Sequence, residues 1–253
     1  MKLIRPVDWV SETKFVVDGL EFGGDLSSYT ELTTPDRVVI LKDSRLLRQY
    51  LDFFAAHDIK NMFELGIWQG GSPLFYSLAT DARKVVALEI KNPGPPAIGE
   101  IARRHRVADK LRLHFGVSQS DRAAVTAIMD KEFGDEPLDL VIDDASHEYG
   151  LSRESFEIVF PRLRTGGLYV IEDWQWAHID SPAYQSGGQF TGKPALSNLI
   201  FELMIAYGGN PDLFWNVVVR DWFVAIQKGS RQLTPDFRLD DLMRMRGAKL
   251  TLI

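Results

Sequence analysis

Two short stretches carry side chains that could do chemistry together. One is Asp143-Asp144-Ala145-Ser146-His147, at the end of the apolar run that starts at Leu138. The other is Glu172-Asp173, which closes the run that starts at Gly166. If these runs are neighbouring strands, their ends lie about 5 Å apart. Carboxylates so placed repel one another unless a proton or a cation intervenes. Oxygen donors favour a hard cation, magnesium before zinc. His147, in the turn after Asp144, stands where a general base could reach a substrate hydroxyl. The plainer alternative is a set of strand-end acids bonded to backbone amides beside a surface histidine. Several acids and a histidine on two strand ends weigh against it.

A second constellation lies upstream, in Phe63-Glu64-Leu65-Gly66-Ile67-Trp68-Gln69-Gly70-Gly71-Ser72. It reads as a strand, a tight glycine turn and a helix start, the ligand-binding first unit of an open α/β sheet. Gly66 permits the sharp turn, Gly70 and Gly71 permit close backbone approach to a ligand, and Ser72 is the expected N-cap. The spacing is not the dinucleotide pattern G-x-G-x-x-G. Glu64 suits a cationic or amine-bearing ligand better than a pyrophosphate. Glu89 ends the next apolar run, Val85–Ile90, and matches the acid that receives ribose hydroxyls in nucleoside-binding α/β folds. Gln119, Ser120 and Asp121 follow a third strand; they could contact an adenine edge or simply cap the next helix. His57, His105 and His114 sit in helix or strand contexts without acidic partners and read as structural. His178 is a lesser candidate for substrate contact.

The elements that must position these residues are legible in outline. Leu46, Leu47, Tyr50, Leu51 and Phe54 recur at helical spacing behind a cap at Asp43 or Ser44. Five apolar runs then alternate with helical segments through short connections, which predicts an α/β, Rossmann-like, doubly wound and mostly parallel sheet. Phe214–Arg220 and Trp222–Lys228 predict a C-terminal antiparallel hairpin. Residues 1–40 read as an irregular N-terminal arm that could cover a ligand or pack on a second copy in a homo-oligomer. Residues 41–253 read as one catalytic domain. The segment 174–195, with Trp174, Trp176 and Gly187-Gly188, is long enough to be a functional lid.

Composition narrows the function classes. The 253 residues hold 29 basic and 35 acidic side chains, a net charge of -6, which disfavours nucleic acid as partner. There is no cysteine, so disulfides, thiol nucleophiles and thiolate metal sites are excluded. No apolar run reaches membrane-spanning length and the first residues do not read as a signal peptide, so a cytoplasmic protein with no membrane partner is expected.

Taken together, Glu64 to Ser72, Asp143 to His147 and Ile171-Glu172-Asp173 resemble the class I S-adenosylmethionine-dependent methyltransferases. The resemblance spans roughly residues 40–228. Within that class it points to the metal-dependent macrolide sugar O-methyltransferases and the related cephalosporin-hydroxylase-like and rhamnosyl O-methyltransferase group. It implies S-adenosylmethionine and Mg2+ as cofactors and a sugar or polyol hydroxyl on a small natural product as acceptor. It carries His147 over as base, Asp144, Glu172 and Asp173 as metal ligands, and Glu64, Gly66, Gly70, Gly71 and Glu89 as cofactor contacts. Ser72, Gln119, Ser120, Asp121 and Asp143 complete the expected cofactor set. The family often has glycine where this chain has Ala145, and some members add an N-terminal domain that the first 40 residues cannot form. The rival readings are a non-catalytic nucleoside-binding or scaffold protein on the same fold, and a nicotinamide-dependent dehydrogenase.

Overall fold

The computed structural model describes residues 1–185 and 188–249, and the chain divides into two compact units, Met1–Val117 and Ser118–Ile253. The first unit opens with a four-stranded sheet: β1 (Val7–Trp9), β2 (Lys14–Val17), β3 (Leu20–Gly23) and β4 (Arg37–Val39). The expected irregular arm is therefore a folded sheet, and the boundary expected at residue 40 falls inside this unit. The cause is local. Asp18 (φ 53°) and Gly19 (φ 76°) both take positive φ, as the tight two-residue hairpin turn requires. That turn aligns Phe15, Val17, Leu20 and Phe22 as a buried set. Phe15 and Phe22 stack at 5.1 Å and both meet the edge of Phe75.

Helix α1 (Ser44–Ala55) follows, capped by Asp43, whose carboxylate accepts from Leu46 N at 2.7 Å. Strands β5 (Asn61–Leu65), β6 (Lys84–Glu89) and β7 (Leu111–Phe115) run parallel, β6 pairing with both neighbours. Between them lie α2 (Gly71–Ala79) and α3 (Ala97–Arg104). All five residues of β5 are buried, as expected of a parallel strand covered on both faces.

The second unit begins with α4 (Arg122–Phe133), which Gly134 terminates at φ 57°. Strand β8 (Leu138–Asp143), helix α5 (Tyr149–Val159) and strand β9 (Leu163–Glu172) form a parallel βαβ unit in which Asp143 pairs with Ile171. A short helix α6 (Pro182–Gln185) and a longer one, α7 (Ser197–Gly209), lead to the antiparallel pair β10 (Phe214–Val219) and β11 (Phe223–Lys228). β11 runs antiparallel to β9. Parallel strands alternating with helices, closed by this hairpin, are the fold class expected from the sequence.

Among the described residues no helix is long and apolar enough to cross a membrane. Ser186 and Gly187 of the expected lid, and residues 250–253 of the tail, lie outside the described residues.

Candidate active site

In the first unit, the turn after β5 is held at its backbone amides. Gly66 sits at φ 100° and donates its N–H to Leu88 O at 2.9 Å. Trp68 follows at φ 45°, a left-handed conformation that a bulky residue adopts only when its surroundings impose it. Glu89 imposes it. Its Oε2 accepts from Ile67 N at 3.1 Å and Trp68 N at 2.9 Å, and its Oε1 from Lys91 N at 2.9 Å. The carboxylate expected to receive a ribose thus also pins the glycine turn, and its remaining lone pairs leave capacity for further donors.

The glycines 70 and 71 have a packing reason the sequence did not show. A Cβ on Gly71 would lie 2.5 Å from Ile40 Cβ and 2.6 Å from Val39 O; one on Gly70 would lie 2.5 Å from Ile98 Cδ1. The space beside both is filled by the chain itself. Ser72 is not the N-cap: the helix begins at Gly71, Gly70 takes the cap position at φ 83°, and no side chain caps it. The glycine turn delivers the chain into helical geometry before serine is reached, so Ser72 is buried in the first turn. Glu64 is fully buried within β5. Outside the turn, Tyr29 stacks on Trp68 at 5.6 Å, and Thr33 Oγ1 donates to Gln69 O at 2.8 Å. Residues of the segment read as an arm therefore line this turn.

In the second unit, side chains rather than backbone make the site. His147 Nε2 lies 3.7 Å from Asp144 Oδ1 and 3.8 Å from Asp173 Oδ2. One donor atom from each of these residues falls within 4.8 Å of the others, a spacing that could hold a metal ion. Glu172, 2% exposed at the end of β9, is not in that group. His147 (φ 55°) and Asp173 (φ 57°) are both left-handed. Asp173 N donates to Trp222 O at 2.9 Å, and Trp174 Nε1 to Arg220 O at 2.9 Å, so the hairpin turn at 220–222 holds the end of β9.

The cluster faces a cavity of about 190 Å³ lined by His147 and Asp173, by Trp174, Trp176, Tyr184 and Phe190, and by Lys193. Trp176 touches the His147 ring at 4.4 Å, Tyr184 at 5.2 Å and Phe190 at 5.8 Å. Lys193 pairs with Glu148 at 2.7 Å. The aromatic content of 174–190 was visible in the sequence; Lys193 was not singled out, since a lone lysine in a polar loop carries no signal. His178 instead bonds Ser197 Oγ at 2.8 Å and does not line the cavity. His105, read as lacking an acidic partner, meets Asp18 Oδ2 at 3.3 Å; the hairpin turn that brings Asp18 there was not foreseen.

Beneath the cluster lies a buried polar network. Asp143 accepts from Gln119 Nε2 at 3.0 Å, Ser155 Oγ at 2.8 Å and Tyr169 OH at 3.2 Å. Burial pushes its carboxyl up to about 6, against the pull of those three hydrogen bonds, and the charge of Asp144 adds to the rise. Gln119 Oε1 accepts from Ser146 N at 3.0 Å. Asp121 caps α4, accepting from Ala124 N at 3.0 Å, and Ser120 Oγ lies 3.1 Å from Ser118 Oγ. Of the two readings left open for 118–121, the cap is present at Asp121.

Residues 63–174 match the family described as a methyltransferase domain. The matched stretch contains the glycine turn, Glu89, the buried network and the acid–histidine cluster. Over 85 residues the chain is 39% identical to the 8-demethyl-8-(2-methoxy-alpha-L-rhamnosyl)-tetracenomycin-C 3'-O-methyltransferase of Streptomyces olivaceus, covering 34% of this chain and 20% of that protein. Over 83 residues it is 43% identical to the 8-demethyl-8-alpha-L-rhamnosyl tetracenomycin-C 2'-O-methyltransferase of the same organism, covering 32% and 20%. The chain spans about a fifth of the length of these curated relatives. The MycE methyltransferase of mycinamycin biosynthesis, solved with Mg, SAH and mycinamycin VI, superposes with a TM-score of 0.51 at 22% identity, covering 71% of this chain and 48% of that one. The chain therefore shares the fold of that structure over the region covered.

Proposed function

We propose that this protein transfers the methyl group of S-adenosylmethionine to a hydroxyl oxygen of a sugar or polyol on a small natural product. The observation that carries this reading is the cluster of Asp144, His147 and Asp173, of which His147 and Asp173 line an aromatic-walled cavity, in a stretch similar to methyltransferase domains. His147 Nε2 is the general base. It accepts the acceptor's proton as the new O–CH3 bond forms and the S–CH3 bond breaks. The departing thioether is neutral, so no acid is needed on the opposite side. Trp174, Trp176, Tyr184 and Phe190 exclude water and pack on the apolar face of the acceptor. Such orientation alone can supply about 7–11 kcal/mol of barrier lowering.

The donor set fits a hard divalent cation. Asp144 and Asp173 offer carboxylate oxygens, Glu172, next in the chain but outside the cluster, would have to turn toward it to be the third acid, and the imidazole is left to proton transfer because magnesium prefers oxygen. When bound, such a cation lowers the pKa of the acceptor hydroxyl. Gly66 and Glu89 are assigned to the cofactor, with Glu89 receiving the ribose hydroxyls. The first two relatives act on rhamnosyl sugars by name, which supports a sugar hydroxyl as acceptor, and the net charge of -6 fits a small-molecule partner.

Turnover of rhamnosylated or other glycosylated acceptors, followed by S-adenosylhomocysteine release, tests the reading. Excess EDTA should abolish turnover, Mg2+ should restore it, and S-adenosylhomocysteine should bind in both conditions. Full turnover in EDTA would remove the metal from the proposal; failure to bind S-adenosylhomocysteine would overturn the proposal as a whole.

A further inference from the structure

We infer that Gln119 is a positioning residue for His147, acting through the Ser146 amide, and not a contact to the adenine of the cofactor. The inference rests on the reading of His147 as the general base.

Gln119 is 4% exposed, and its side-chain amide is engaged at both ends. Nε2 donates to Asp143 Oδ1 at 3.0 Å and to Ser155 Oγ at 3.1 Å, while Oε1 accepts from Ser146 N at 3.0 Å. The direction of the amide is not arbitrary. The Asp143 carboxylate also receives Ser155 Oγ and Tyr169 OH on its other oxygen, so when ionised it can only accept. The amide nitrogen must therefore face Asp143, which turns the carbonyl toward Ser146. Ser155 and Tyr169 are fully buried, so this orientation is fixed inside the protein and owes nothing to a ligand.

The residue after Ser146 is the one that needs holding. His147 adopts φ 55°, and a left-handed non-glycine residue persists where the surrounding structure over-determines it. Ser146 N is tied to Gln119, and Ser146 Oγ in turn accepts from Glu148 N at 3.2 Å. The turn is thus gripped on both sides of His147. The ring then stands 3.7 Å from Asp144, 3.8 Å from Asp173 and 4.4 Å from the Trp176 ring. A displacement of about 1 Å in such a constellation can cost roughly a hundredfold in rate. A buried glutamine with all its groups satisfied serves to specify one geometry, and here that geometry is the base's turn.

Gln119→Leu keeps the bulk and removes the clasp. Exchange of the Ser146 amide hydrogen, read by NMR, should speed up about ten- to hundredfold, the scale of one buried hydrogen bond left unmade. At saturating substrates kcat should fall by a similar factor, while the Kd for S-adenosylhomocysteine stays within about twofold. The exchanged pair Gln119→Glu with Asp143→Asn reverses donor and acceptor. The introduced amide donates to the introduced carboxylate, whose other oxygen still accepts from Ser146 N. This double variant should recover Ser146 protection and most of kcat, which a role in bulk packing would not predict. It also serves where Gln119→Leu does not fold. Unchanged Ser146 exchange in Gln119→Leu would overturn the inference, as would a weakened Kd with unchanged kcat, or a folded double variant with Ser146 unprotected. Absence of turnover in the native chain would fail the functional reading alone, and Ser146 exchange would still report the clasp.

Discussion

The turn after β5 and the turns after β8 and β9 solve the same problem with different materials. All three hold residues at positive φ, among them Trp68, His147 and Asp173. After β5 the holding is done on backbone amides: Glu89 gathers two amide hydrogens of the turn, and at glycines 70 and 71 Ile98, Ile40 and Val39 occupy the space a side chain would need. After β8 and β9 the residues that would do the chemistry are themselves the strained ones, tied down by Gln119 and by the hairpin turn at Trp222. A surface made of backbone suits a ligand whose binding needs shape. A cluster of side chains suits proton transfer and metal binding, which need particular groups. Damage to the first should therefore appear as lost stability or affinity, and damage to the second as lost rate.

The largest expected effect falls on rate. His147→Ala should lower kcat by about 10²–10⁴-fold, the range for a general base, with little change in cofactor affinity. The loss should shrink as pH rises and hydroxide substitutes for the imidazole. A pH–rate profile of native chain and variant checks both statements, and an unchanged kcat would remove the base from His147.

Gly71→Ala should act in the opposite sense, on stability. Its Cβ would lie 2.5 Å from Ile40 Cβ and 2.9 Å from Ile40 Cα, atoms that yield only with the backbone. A destabilisation of about 1–3 kcal/mol or more is expected from such overpacking, read from the midpoint of chemical denaturation.

A comparable effect should depend on pH. The folded pKa of Asp143 is raised from 3.8 to about 6, so the folded state holds the proton more tightly than the unfolded chain. The associated stability is present below the unfolded pKa and is lost as pH climbs through the folded value. Relative to Asp143→Asn, the native chain should lose on the order of 3 kcal/mol between about pH 4 and pH 7, at 1.36 kcal/mol per unit. Denaturation curves that stay parallel across that window would contradict it.

An effect of similar size falls on affinity. Glu89→Ala should weaken S-adenosylmethionine binding by roughly 1.5–3 kcal/mol, the scale of hydrogen bonds to a charged group. Because Glu89 also pins Ile67 and Trp68, a Glu89→Gln variant should lose less in affinity than in the order of the turn. Calorimetry alongside amide exchange at Trp68 separates the two roles.

What could be read from the sequence divides along similar lines. The parallel strands were legible because burial on both faces writes them as uninterrupted apolar runs, as in β5 and β8. The C-terminal hairpin was legible from two such runs joined tightly. The N-terminal sheet was missed because its strands are three or four residues long and separated by glycines that read as punctuation. Asp18-Gly19 was the available signal. Asp144, His147 and Asp173 could be grouped because strand ends converge by topology. Gln119 could not be tied to Ser146, 27 residues away, since a polar residue before a helix announces a cap and nothing further. The packing behind Gly70 and Gly71 was equally hidden, because glycine looks the same whether it admits a ligand or a neighbouring side chain.

The left-handed backbone at His147 and Asp173 has a consequence for how this protein would respond to being made tougher. Each such residue carries a conformational penalty of about 1 kcal/mol that glycine would relieve. His147→Gly and Asp173→Gly are therefore among the easier substitutions by which the fold could gain heat resistance, and both delete the groups assigned to chemistry. A library sorted only by melting temperature would drift toward robust, silent molecules. In this chain thermal robustness is a misleading proxy for competence, and screening for improved variants has to read turnover from the first round.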